Sequence, residues 1–238
     1  MKAPRLPPIA AAPNRVIIQM RRRSFAIAGF FAVVMTAAGI AAPAFAEKQW
    51  KCTGNAGIPW STQIVECTKA IKSGEFKGKE LAWAYFNRGN ANIRTGRHDN
   101  AIADYSEALK LEPTDADIYN NRGNALRRKG QYDRAIADYN EAIKLAPNDP
   151  DPVNGRGNAY FNKGDRERAL EDFNRAIKLD PDTVQAYFNR ARVREDKGDL
   201  YAALTDFETY AKLEPSDADG PAAVRRVRMA IKKNEGAK

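Results

Sequence analysis

The sequence predicts an all-α protein, an α-solenoid of four 34-residue helix–turn–helix repeats with an N-terminal half-repeat and a C-terminal capping helix. Three kinds of residue recur at that spacing: Pro113, Pro147, Pro181 and Pro215; Gly96, Gly130, Gly164 and Gly198; Ala101, Ala135, Ala169 and Ala203. A fixed period of this length is typical of arrays in which each repeat is one supersecondary unit stacked on its neighbours.

Each copy contains two segments with helical periodicity, separated by its glycine. In the second copy the apolar positions of the second segment follow i, i+3, i+4 spacing from Ala135 to Ile143. The glycine ends the first helix because only glycine takes a left-handed cap without strain. The proline ends the second helix because it lacks an amide hydrogen and clashes with the preceding turn. We expect four aromatic residues to fill the space between hairpins: Tyr105, Tyr139, Phe173 and Phe207.

The pattern resembles the tetratricopeptide repeat family. The likeness covers the period, a small residue at position 8, Ala at 20, an aromatic at 24, Ala at 27 and Pro at 32 of each repeat. It places the repeats at 82–115, 116–149, 150–183 and 184–217. The last copy departs from the pattern at Ala191, Val193 and Tyr210, as terminal repeats often do. The resemblance implies the fold strongly and the function only weakly.

Residues 1–46 are interpreted as a signal peptide. Arg21–Arg23 precede an uncharged stretch that ends in Ala44-Phe45-Ala46, a small-residue cleavage pattern. Cleavage after Ala46 predicts a periplasmic or secreted protein of an exported bacterial type, with Met20 as a possible true start. The sequence leaves open Sec or twin-arginine export, and also an uncleaved inner-membrane anchor.

The charge of the chain changes when residues 1–46 are set aside. That segment holds six of the 39 Lys and Arg residues and none of the 30 Asp and Glu residues, so the formal charge falls from +9 to +3. Nucleic-acid binding requires a concentrated basic patch. The composition therefore argues against a nucleic-acid partner.

Two segments flank the repeats. Residues 47–81 contain Cys52 and Cys67, an even cysteine count that predicts a disulfide in an oxidising compartment, and residues 61–73 are expected to form a half-repeat helix. Residues 218–238 predict a basic capping helix and tail, with Val224, Val227 and Ile231 as its apolar stripe. Contact of this helix with anionic lipid is the alternative.

No catalytic set is evident. The single histidine, His98, is expected in an exposed turn, and no second histidine or free cysteine completes a nucleophile–base pair. We predict no catalytic residue, metal site or cofactor. Charged groups recurring in every copy are interpreted as structural salt bridges, formed by Arg88, Arg122, Arg156 and Arg190 with Asp104, Asp138, Asp172 and Asp206.

The remaining candidate site is the concave face, which in the resembled family is lined by the first helix of each hairpin. Asparagine is frequent there and offers both donors and an acceptor to a peptide backbone. The predicted groove residues are Asn87, Asn90, Asn120, Asn121, Asn124, Asn154, Asn158, Asn189, Phe86 and Phe188. The row resembles the asparagine ladder of O-linked N-acetylglucosamine transferases, although shared descent of the copies would also explain it. Phe86, Asp151 and Gly155 do not fit a tail-carboxylate clamp.

These observations predict a non-catalytic scaffold that binds an extended segment of a protein or peptide partner in the groove. Two alternatives remain: a membrane-attached assembly factor, if residues 1–46 stay on the chain, and an accessory subunit of an envelope enzyme complex. Membrane contact is expected only through that segment or through the basic tail.

Overall fold

The computed structural model describes Cys52 and residues 57–236. The predicted signal peptide and the last two residues of the tail lie outside this part of the chain. Within it the chain forms ten helices and no strand: α1 (Trp60–Lys72), α2 (Gly78–Arg94), α3 (His98–Leu111), α4 (Ala116–Arg128), α5 (Tyr132–Leu145), α6 (Pro150–Lys163), α7 (Arg166–Leu179), α8 (Val184–Asp196), α9 (Leu200–Leu213) and α10 (Asp219–Glu235). The predicted all-α solenoid is confirmed.

The turn inside each hairpin depends on its glycine. Gly130 follows α4 with φ at +73°, and Gly164 ends α6 at +87°. L-residues with a side chain rarely adopt this left-handed conformation, which is why glycine recurs at this position.

The two helices of each hairpin approach closely because small residues face large ones. A Cβ atom built on Gly123 would lie 2.9 Å from Cε1 of Tyr139, and Tyr139 is fully buried. Alanines at repeat position 20 are likewise fully buried in all four copies: Ala101, Ala135, Ala169 and Ala203. The core is therefore a series of small satellite clusters along the solenoid, as expected for stacked repeats.

The hairpins stack in chain order, with each helix packed against the next. Further contacts join α2 to α4, α4 to α6, and α6 to α8, the first helices of successive hairpins. The first helices therefore lie on the inner side of the curve, where their outward side chains form a concave face.

Helix α1 packs on α2 as a half-repeat. It runs one residue earlier than predicted, and Nη1 of Arg88 donates to Oγ1 of Thr68 at 3.1 Å. Arg122 makes the same contact with Ser106 of the preceding repeat, so Thr68 occupies the matching place in the half-repeat.

Helix α10 closes the other end. Val227 is fully buried, and Val224 and Ile231 pack partly buried against the cluster around Phe207. Tyr210, one of the atypical residues of the last repeat, packs against Gly220 and donates to Asp217 at 2.6 Å. Tyr210, which replaces the usual alanine of the repeat, therefore contacts the start of the capping helix.

One expectation about His98 is wrong. It is the first residue of α3 and is half-buried, and its Nδ1 atom is enclosed with no hydrogen-bond partner among the described residues. Burial, followed by the charge of Arg128, lowers the pKa of this imidazole.

No helix in the described residues is long and apolar enough to cross a lipid bilayer.

Candidate partner-binding groove

The groove is defined here as the concave face formed by α2, α4, α6 and α8. All eight predicted asparagines lie on these helices and are half-buried. Half-burial leaves part of each amide accessible while its neighbours restrict its rotation. Hydrogen bonds of these amides divide them into three groups.

In the first group, a tyrosine fixes the direction of the amide. The hydroxyl of Tyr105 donates to Oδ1 of Asn90 at 2.7 Å, and that of Tyr139 donates to Oδ1 of Asn124 at 2.9 Å. Burial raises the pKa of both hydroxyls, that of Tyr139 to about 12, so both remain protonated donors at neutral pH. Because the amide oxygens are engaged, the NH₂ groups of Asn90 and Asn124 are the atoms left to bind a partner.

In the second group, the amide nitrogen bonds within its own helix. Nδ2 of Asn87 donates to the carbonyl of Trp83 at 2.9 Å, and Nδ2 of Asn158 donates to that of Asn154 at 3.0 Å. In the third repeat Phe173 replaces the tyrosine and has no hydroxyl to hold Asn158. The oxygens of these two asparagines are therefore the atoms left to bind a partner, and they complement the donors of the first group.

In the third group, asparagines join adjacent repeats. Asn121 donates to Asn90 at 3.3 Å, and Asn189 donates to Asn154 at 3.1 Å. The remaining amide, Asn120, has its Oδ1 buried with no hydrogen-bond partner in the described residues. Part of the predicted ladder is thus used to connect hairpins.

The two predicted phenylalanines, Phe86 on α2 and Phe188 on α8, are half-buried. Phe86 packs on Tyr105 with ring centroids 6.0 Å apart. Phe188 packs on Phe207 at 5.3 Å and on Tyr210 at 4.8 Å. Both rings contribute to the core as well as to the face.

The recurring charges form four ion pairs, each within one hairpin. The guanidinium–carboxylate distances are 2.6 Å for Arg88–Asp104, 2.8 Å for Arg122–Asp138, 2.7 Å for Arg156–Asp172 and 2.7 Å for Arg190–Asp206. All four aspartates are buried. The hydrogen bond from Arg122 to Asp138 raises the pKa of Arg122 despite burial. The arrangement explains why these residues recur without any catalytic role being required.

Each of these arginines also reaches the preceding repeat. Arg156 donates through Nη1 to Asn140 at 2.7 Å, and Arg190 donates to Asn174 at 2.7 Å. One guanidinium therefore binds both its own hairpin and the neighbouring one, which fixes the stacking geometry.

A basic cluster on the same face was not anticipated as a feature. It consists of Arg94 from α2, Arg127 and Arg128 from α4, and Arg192 from α8. The sequence places each at a concave position, but their charges add up only when the repeats are stacked. Counting charge per face across the four copies would have found them.

The N-terminal cap is joined by a disulfide between Cys52 and Cys67, both fully buried. Nε2 of Gln63 donates to the carbonyl of Cys52 at 3.0 Å, and the pair packs against Ala84. The bond thus attaches Cys52 to the half-repeat helix.

The described residues contain no group of three or more His, Cys, Asp or Glu placed to hold a metal ion.

Comparison with known families agrees with this geometry. The model described as TPR repeat matches residues 89–130 and 123–164, and that described as tetratricopeptide repeat matches residues 157–232. Together they span more than half of the chain. The chain is a tetratricopeptide repeat protein. A search of curated proteins finds no match.

Solved structures show the same fold. MamA residues 41–end from Desulfovibrio magneticus RS-1 matches with a TM-score of 0.62 and 20% identity, over 74% of this chain and 96% of that one. TTC0263, a thermophilic TPR protein of Thermus thermophilus, matches at 0.60 and 18%, over 71% and 91%. The Cut9-Hcn1 hetero-tetramer matches at 0.63 and 22%, over 73% of this chain and 34% of that one. At these identities the likeness establishes the solenoid alone.

Proposed function

We propose that this tetratricopeptide repeat protein is a non-catalytic scaffold that holds an extended segment of a partner protein in its asparagine-lined groove. Tetratricopeptide repeat proteins act as protein–protein interaction scaffolds. The observation that carries the finer proposal is the ordering of the groove amides by neighbours. Tyr105 and Tyr139 engage the oxygens of Asn90 and Asn124, and Asn87 and Asn158 engage their own nitrogens in helix hydrogen bonds.

An extended peptide backbone carries N–H and C=O groups in alternation, so it needs both kinds of partner. Neighbouring hairpins lie ~10 Å apart, and three extended residues span about the same distance. The ordered amides, two in the first hairpin and one in each of the second and third, can therefore bind successive backbone groups with little dependence on side chains. Pre-ordering lowers the entropy lost on binding.

The proposed location is periplasmic or secreted, with residues 1–46 removed as a signal peptide. The disulfide of Cys52 and Cys67 supports an oxidising compartment, where such bonds persist. If residues 1–46 stay on the chain, the same scaffold acts as a membrane-attached assembly factor or an accessory subunit of an envelope enzyme complex. The mass of the protein recovered after export distinguishes these cases, because cleavage leaves Glu47 as the first residue.

The test of the groove uses an immobilised library of unbiased peptides, each of about twelve residues, the length that four hairpins can hold. The full chain is compared with a variant carrying Asn87→Ala, Asn124→Ala and Asn158→Ala. The matched control carries Asn100→Ala, Asn148→Ala and Asn234→Ala, which replace exposed asparagines outside the groove.

We expect the full chain and the control to bind the same subset of peptides and the groove variant to lose it, while circular dichroism shows all three folded. Equal binding by all three proteins would assign the groove asparagines to solvated surface. If the full chain binds no peptide, the proposal that it holds an extended segment is wrong.

A further inference from the structure

Four arginines from three hairpins face the groove. Two of them make cation–π contacts with aromatic rings. The guanidinium of Arg94 lies 5.6 Å from the centre of the Trp60 ring, and that of Arg192 lies 5.1 Å from the centre of the Phe161 ring. Stacking occupies the flat face of the Arg192 guanidinium, and the N–H edge of a stacked guanidinium can still bind a planar anion.

These arginines are close enough to influence one another. Burial lowers the pKa of Arg192. The negative charge of Glu195 opposes this effect, whereas the positive charges of Arg127 and Arg226 lower the pKa further. Burial also lowers the pKa of Arg128, with Arg127 and Arg94 adding to the effect. Positive charges drawn together in a half-buried groove repel, and an anionic partner relieves that repulsion.

The two acidic side chains that follow Arg192 on α8 form ion pairs with arginines outside this cluster. Glu195 forms an ion pair with Arg226 at 2.7 Å, and Asp196 forms one with Arg166. Within the described residues, Arg127, Arg128 and Arg192 form no ion pair.

One arginine nitrogen also lacks a hydrogen-bond acceptor. The Nε atom of Arg127 is buried without a partner among the described residues. Arg127 lies about one helical turn from Asn124, whose oxygen is engaged by the hydroxyl of Tyr139, so that its NH₂ group is left as a donor. The side chains of Arg127 and Asn124 therefore place N–H donors in this part of the groove, a pattern that fits carboxylates.

We infer that the groove binds an acidic extended segment, whose Asp or Glu carboxylates are held by Arg127, Arg128 and Arg192 while its backbone is held by the asparagines. The inference rests on the proposed function and adds the chemical class of the partner to it. Charge selectivity of this kind raises the association rate and excludes basic segments.

The test measures fluorescence anisotropy of three labelled peptides on the full chain, each of about twelve residues. One consists of Glu-Ser repeats, one of Gln-Ser repeats and one of Lys-Ser repeats. The test variant carries Arg127→Gln and Arg192→Gln. The charge-matched control carries Arg175→Gln and Lys178→Gln on the exposed side of α7. A second variant, Arg128→Gln, changes an exposed side chain and guards against loss of folding.

We expect the Glu-Ser peptide to bind most tightly, with an affinity that falls as salt is raised. Replacing Arg127 and Arg192 should weaken it at least about tenfold, Arg128→Gln should weaken it less, and the control should leave it unchanged. The full chain could instead bind the Glu-Ser and Gln-Ser peptides with equal affinity, and the triple asparagine variant could bind neither. That result would overturn the acidic preference and keep the groove function. No binding of any peptide would overturn both.

Discussion

The hydroxyl of Tyr139 donates a 2.9 Å hydrogen bond to the side-chain oxygen of Asn124, linking the core of the second repeat to its concave face. Tyr139 has no exposed surface, whereas Asn124 is half-buried at the groove. A core side chain thus determines which atoms of a surface amide a partner meets. The first repeat has the same pair in Tyr105 and Asn90, and the third and fourth repeats, with Phe173 and Phe207, do not.

Changing Tyr139 to Phe should therefore affect both stability and binding. Loss of one buried hydrogen bond should lower the free energy of unfolding by about 1 kcal/mol, and peptide affinity should fall because Asn124 is free to rotate. Urea denaturation followed by circular dichroism checks the first effect, and anisotropy with the Gln-Ser peptide checks the second. Tyr132→Phe is the control, since the described residues show no hydrogen bond from that hydroxyl. Equal effects of the two changes would contradict the proposed orientation of the amide.

Changing Arg122 to Ala should destabilise the protein strongly. The change leaves Asp138 buried without its guanidinium and also breaks the contact with Ser106 of the preceding repeat. Leaving one member of a buried pair uncompensated costs about 3 kcal/mol or more. Thermal and urea unfolding should show this loss. Arg134→Ala should change stability little, because Arg134 is exposed and donates to Gln131 three residues away. Unchanged unfolding of the Arg122 variant would show that the pair is not structural.

Much of the fold could be predicted from the sequence because the repeat period fixes the turns. Gly130 and Pro147 each lie two residues after the last residue of their helix, which is Arg128 for α4 and Leu145 for α5. The groove was predicted less completely. Position in the repeat identifies which side chains face it, but not how they bond. Whether Asn124 presents nitrogen or oxygen depends on a hydroxyl 15 residues away in the chain.

The same limit applies to the basic cluster. Arg127 and Arg192 belong to the second and fourth repeats and are far apart in sequence. Their mutual influence arises only from the curvature that brings first helices together. The burial of His98 was missed for a similar reason, because Arg128 and the end of α4 pack beside it.

Changing Gly155 to Ala should destabilise the junction of the second and third hairpins. A Cβ atom there would lie 2.6 Å from Cε1 of Tyr139, a distance that the buried ring cannot relieve without moving. Overpacking of this kind costs about 1–3 kcal/mol. Gly236→Ala serves as control, because its Cβ would meet only the Lys232 carbonyl at 3.5 Å. Equal unfolding midpoints for the two variants would show that Tyr139 adjusts freely.

Reduction of the disulfide should lower the free energy of unfolding, because it detaches Cys52 from the half-repeat helix α1. The bond of Cys52 and Cys67 closes a segment with a separation of 15 residues, for which the chain-entropy treatment gives roughly 3 kcal/mol. Thermal unfolding of the full chain with and without dithiothreitol measures this difference. A double variant, Cys52→Ser with Cys67→Ser, should unfold like the reduced protein and should not respond to reductant. A response of the variant would assign the effect to something other than this bond.

Acidification should weaken the fold through His98, the single histidine of the chain. Burial and the charge of Arg128 lower the folded-state pKa of the imidazole below its ordinary value of 6.5. The unfolded chain therefore binds a proton at a higher pH than the folded chain does, and stability rises with pH wherever the unfolded state binds more protons. The contribution of His98 is fully present above pH 6.5 and is lost as the pH falls from there toward the folded-state pKa.

His98→Gln removes this titration, so its stability should change less than that of the unaltered chain over the same interval. Urea denaturation at several pH values between about 7.5 and 5.5 measures the two slopes, since ordinary carboxylates titrate mainly below this range. The difference between the slopes belongs to His98 alone, because no other histidine contributes. Parallel slopes would mean that the imidazole can take up its proton in the folded state beside Arg128, and that the enclosed Nδ1 atom is reached by water.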